Sequence, residues 1–115
     1  MKKLVLVLFA FASLTALAAD TTLKGTLVDL ACAREDGAKP DFGAKHSKDC
    51  LQMPDCEKSG YGLMTAAKKV IRFDAAGNAQ AKKFIADMKK AKDIQVEVTG
   101  AVTGDTMTVS KIALQ

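Results

Sequence analysis

No Cys-x-x-Cys pair occurs anywhere in the chain, and it has a single histidine, His46. That excludes a thioredoxin-type dithiol, a paired zinc knuckle and a haem-attachment Cys-x-x-Cys-His. The ordered Cys-His-Met run of a blue-copper loop is missing as well. There is no hydrolase triad, no phosphate loop and no carboxylate pair placed for acid–base work, so the residue pattern favours binding over catalytic turnover. Internal repeats and low-complexity tracts are also absent. Nor is there an apolar run of the ~20 residues needed to cross a bilayer.

The longest apolar run, Leu4 to Leu17, follows Lys2 and Lys3 and ends in the small residues Ala16, Ala18 and Ala19. This is the pattern of a secretory signal peptide over residues 1–19, cut after Ala19 or one residue earlier. No cysteine stands at the cut, which argues against a lipid anchor. The expected destination is a bacterial periplasm, with no membrane segment after processing. Residues 20–115 then form one domain of 96 residues, enough for a single core that buries roughly 60–65% of the extended-chain surface. Processing lowers Lys+Arg from 17 to 15 against 13 acids, so the net charge falls to +2. A nucleic-acid partner is not expected from that balance or from that compartment.

Hydrophobic alternation marks strands at Thr22 to Leu30, Tyr61 to Thr65, Lys69 to Phe73, Ile94 to Val102 and Thr106 to Leu114. In the first, Leu23 and Leu27 share a face, but Val28 and Leu30 change parity. A bulge or burial on both faces would explain that. Gly25 suits a sharp bend. In the last, Ile112 and Leu114 are out of phase with Met107 and Val109, which predicts another bulge. Gly104-Asp105 predicts a tight hairpin turn. Between the third and fourth strands, Ala81, Phe84, Ile85 and Met88 fall on one helical face, with Asn78 as the expected N-cap of a helix from Ala79 to about Ala91. Met64, Met88 and Met107 sit at core phases. Five strands with one helix between the third and fourth is the order of a mainly β, OB-like barrel, in which the first inter-strand loop commonly contacts ligand.

That first loop, residues 32–59, holds every cysteine and the histidine. It is poor in apolar residues and longer than structureless loops usually are. Ser47 to Gln52 predicts a short helical turn capped by Ser47, ended by Pro54. Cys32, His46, Cys50 and Cys56 offer three thiolates and an imidazole, a set suited to tetrahedral zinc or to cuprous copper. In a helix, His46 and Cys50 would share a face. Met53 could add a thioether, which would favour copper. Asp29 could accept the imidazole N–H from behind.

Two other chemistries compete. In an oxidising compartment three cysteines allow one disulfide and leave one thiol over. Cys32–Cys56 would close a longer loop, worth roughly 3 kcal/mol. Cys50–Cys56 would require a chain break at Pro54, because helical rise alone separates their Cα atoms by ~9 Å. Such a stapled domain could bind a small ligand or a periplasmic protein partner without metal. Thiol redox chemistry needs an activated thiolate, which His46 near Cys50 permits.

The pattern Val28-Asp29-x-x-Cys32, His46-x-x-x-Cys50, Cys56-x-x-x-Gly60-Tyr61-Gly62-Leu63 and then Val96-x-Val98-x-Gly100 resembles a group of small exported bacterial proteins of uncharacterised function. The resemblance covers most of the processed chain. It implies a shared compact β-domain and a shared Cys/His cluster, and brings no established activity with it.

Overall fold

The computed structural model describes residues 19–115, so the signal-peptide reading lies almost wholly outside the described residues. Five strands, β1 (Thr21–Asp29), β2 (Tyr61–Met64), β3 (Val70–Phe73), β4 (Gln95–Thr103) and β5 (Thr106–Leu114), form one mixed sheet. The order β1-β2-β3-β5-β4 closes on itself through the β1–β4 pairing, and β3–β5 is the parallel contact. The mainly β architecture with a helix between the third and fourth strands is therefore as expected.

β1 serves two neighbours. Thr21 to Thr26 pair with β4, and Thr26 to Asp29 pair with β2. The strand has to bend between these partners, and Gly25 lies in that region. A Cβ built there would collide with the carbonyl oxygen of Met64. The parity change after Leu27 reflects burial on both faces, with no bulge in either pairing of β1. Leu27 enters the main core with Leu63, Ile71, Val96 and Val98. Val28 points to the opposite face, beneath Phe42 and Met64. The expected irregularity in the last strand is present: Thr99 pairs with Lys111 and Gly100 with Val109, leaving Ser110 as the extra residue.

The intervening helix, α5 (Ala75–Asp87), starts and ends earlier than expected. Its N-cap is Asp74, whose Oδ1 accepts from the Gly77 N–H at 2.8 Å. Asn78 lies inside the helix, and its side-chain oxygen instead accepts from the Tyr61 N–H at 2.9 Å, tying α5 to β2. Asn and Asp have similar capping preference, so composition alone could not choose between them. Ala81, Ile85 and Met88 line the core as the helical period predicted.

The long β1–β2 connection contains short helices: α1 (Leu30–Asp36), α2 (Phe42–Lys45), α3 (Lys48–Leu51) and α4 (Pro54–Ser59). Leu30 thus begins α1 and does not end the first strand. Two apolar side chains pin the connection. Phe42 covers Val28 and Met64 on the outer face of the sheet, and Leu51 is fully buried in the main core. The Tyr61 hydroxyl donates to the Leu51 carbonyl at 2.9 Å, and burial pushes the Tyr61 pKa up to about 12. Backbone bonds from Lys48 N–H to the Ala91 carbonyl and from Asp93 N–H to the His46 carbonyl fix the middle of the connection to the segment after α5.

Candidate functional site

Asp29 is the last residue of β1 and the N-cap of α1. Its Oδ2 accepts from the Cys32 N–H at 2.9 Å, so Asp-x-x-Cys is a capping spacing that places a thiol at the first turn of the helix. The same turn is secured from α4. The Ala31 N–H donates to Ser59 Oγ at 3.1 Å, and the Leu30 N–H donates to the Gly60 carbonyl at 2.9 Å. Packing α1 on α4 brings Cys32 Sγ to 3.7 Å from Cys56 Sγ, across 24 residues of sequence.

Among the described residues, Asp29, Cys32 and Cys56 form a group whose donor atoms all lie within 4.8 Å of one another. Asp29 is completely buried, Cys56 is buried and Cys32 is half-buried. The expected quartet is therefore reorganised. The carboxylate stands with two sulfurs, and the imidazole stands behind the carboxylate. His46 Nε2 lies 2.8 Å from Asp29 Oδ1, with both side chains withdrawn from solvent. The contact is close, but neither atom has a partner of good hydrogen-bond geometry.

His46 reaches this position because α2 ends there. Its N–H donates to the Phe42 carbonyl at 2.9 Å, and its ring lies 4.8 Å from the Phe42 ring, centre to centre. His46 and Ser47 both have extended backbone, so α2 and α3 are separate helices and His46-x-x-x-Cys50 is not a single helical face. The predicted turn capped by Ser47 does form, with Ser47 Oγ accepting from the Cys50 N–H at 3.1 Å. Pro54 opens α4 at its first turn, after Met53 in extended geometry. Cys50 lies outside the three-residue group. It lines a cleft of about 370 Å³ together with Cys32, Phe42 and His46. Ion pairs Asp36–Lys39 and Asp41–Lys45 stand at its rim. Met53 is 54% exposed and lies outside the three-residue group.

The electrostatics follow from burial and proximity. Burial would raise the Asp29 carboxyl, but His46 and the Cys32 N–H together hold it below the usual carboxylate range. Burial, reinforced by the Asp29 charge, pushes the Cys32 thiol far above its ordinary value. Burial raises Cys56 likewise, partly offset by its contact with Cys32. Without a cation, both sulfurs are protonated and poorly nucleophilic at neutral pH. A bound cation would reverse that, since a coordinating thiol is deprotonated outright.

The expected approach of Asp29 to the imidazole is present at 2.8 Å, and the same carboxylate also stands beside the sulfurs. The signal for it was present: an Asp three residues before a Cys at a strand-to-helix junction is an N-cap that aims both groups the same way. Comparison with protein-family models, with curated proteins and with solved structures finds no match.

Proposed function

We propose that the protein is a small, exported, OB-like domain that binds one transition-metal ion, zinc or copper, without catalytic turnover. Cys32, Cys56 and Asp29 are its ligands, His46 backs the carboxylate from behind, and the periplasm is its compartment. The observation that carries the reading is the 3.7 Å separation of the two sulfurs. A disulfide requires about 2.05 Å. Two thiolates on tetrahedral zinc, each about 2.3 Å from the metal, stand about 3.8 Å apart. The buried carboxylate within reach of both sulfurs supports the same assignment, since it brings negative charge into a site where an unpaired ion is costly.

Expression of the processed chain in a periplasm, followed by metal analysis and thiol titration, tests this. Stoichiometric zinc or copper, lost in Cys32→Ser and in Cys56→Ser but kept in Met53→Ala, is the expected result. The same Cys32–Cys56 contact favours a second reading, a disulfide-stapled binding module for a small ligand or a protein partner. That reading requires metal-free protein with one free thiol, on Cys50, and a silent His46→Ala variant.

A further inference from the structure

The two thiols of the site differ in access. Cys32 is half-buried and lines the cleft, whereas Cys56 is 7% exposed and does not. They sit on short helices, α1 of 7 residues and α4 of 6, joined to each other by the Ser59 and Gly60 bonds to the first turn of α1. Closing 3.7 Å to a disulfide calls for an approach of about 1.7 Å, within the range of a side-chain rotation with a small helix shift. An electrophilic sulfur entering by the cleft meets Cys32 before Cys56, which lies behind it.

Building on the metal reading, we propose that Cys32 and Cys56 are a redox gate, in which thiol–disulfide exchange with a small oxidised disulfide converts the metal-holding pair into a disulfide and expels the ion. In the first step Cys32, already a thiolate in the metal-holding state so that no proton is released, attacks the incoming disulfide. A mixed disulfide forms on Cys32, and one thiolate of the oxidant leaves. In the second step Cys56 attacks Cys32 Sγ, the Cys32–Cys56 bond forms and the second thiolate leaves. The protein pair gives up two electrons and the oxidant takes up two. A zinc ion keeps its oxidation state throughout, but only the Asp29 carboxylate remains to hold it, and it dissociates. Asp29 keeps its bond to the Cys32 N–H and its 2.8 Å contact with His46 meanwhile, so the pocket persists for reloading after reduction. Cys50 lines the same cleft outside the group and stays reduced.

The test loads the reduced, processed chain with zinc, adds oxidised glutathione, and follows released zinc with a chromogenic chelator and disulfides by peptide mass spectrometry. The expected result is one zinc released per Cys32–Cys56 disulfide formed, an occupancy drop of about tenfold or more, and reloading after reduction. Cys50→Ser should behave like the parent chain. Retention of zinc under oxidant, release without a disulfide, or a disulfide through Cys50 each overturns the gate while leaving the metal site standing. Failure of the reduced, folded chain to take up zinc or copper at the outset removes the metal reading, and the gate with it.

Discussion

Replacing Asp29 with alanine removes three things at once, and two can be sized without any metal. Losing the side-chain acceptor for the Cys32 N–H is the loss of an N-cap, about 0.5–2 kcal/mol. Removing the carboxylate also takes away the oxygen 2.8 Å from the buried His46 Nε2, and a buried polar atom with no polar counterpart nearby costs about 1–3 kcal/mol. Together these come to about 3 kcal/mol, a large share of the roughly 5–15 kcal/mol that holds a domain folded. For a domain of this size the melting temperature should fall by about 12–24 °C. The urea midpoint should drop by about 2 M if the slope is about 1.5 kcal/mol/M. Asp29→Asn keeps an acceptor for the Cys32 N–H and loses the charge opposite His46, so it should cost less, about 1–2 kcal/mol. The two variants also separate by pH. The folded carboxyl lies below its ordinary value, so its stabilisation is present above about pH 4, the unfolded value, and fades as pH falls through the folded one. Wild type should show that acid-side decline, and Asp29→Asn should lack this component of it. Equilibrium unfolding of metal-free, reduced protein at several pH values measures all of this. An Asp29→Ala variant within about 0.5 kcal/mol of wild type would refute the account of Asp29 as cap and partner.

Other outcomes follow from the same geometry. Phe42→Ala should cost about 3 kcal/mol by chemical denaturation, with far-ultraviolet circular dichroism of the sheet retained, because Phe42 holds the connection onto Val28 and Met64 outside the main core. Met53→Ala should change neither stability nor metal content, since that side chain is mostly in solvent. The metal-free protein should lose stability as pH rises above about 9, because the unfolded chain ionises its thiols there while folded Cys32 and Cys56 stay protonated; Cys32→Ser should reduce that alkaline slope. Gly25→Ala should destabilise through its clash with the Met64 carbonyl, which denaturant titration would reveal.

The strands were legible because their alternation is regular, and even the two phase errors carried information. Val28 and Leu27 disagree in parity because the chain buries both faces there, and Val109 and Ile112 disagree because Ser110 is an inserted residue. Helix boundaries were less legible, since Asp74 and Asn78 are comparable caps four residues apart and a tertiary bond from the Tyr61 N–H claims the second. The connection looked unstructured because its helices are each 4 to 7 residues long and stand on tertiary anchors, not on their own periodicity. The site shows the same limit. Residue types marked Cys32, Cys56, His46 and Asp29, but whether a carboxylate or an imidazole faces the sulfurs depends on how α2 ends, which no local pattern encodes.

Asp29 stands opposite Tyr61 on the final rung of the β1–β2 ladder. Side chains along a strand alternate sides, so a pairing error of a single residue there would turn the carboxylate to the wrong side and bring Val28 in its stead. On the proposed metal reading, ion capture would act as a proofreader of assembly, because only chains with β1 and β2 in the right alignment could load. The bound ion would selectively rescue those molecules from unfolding and proteolysis.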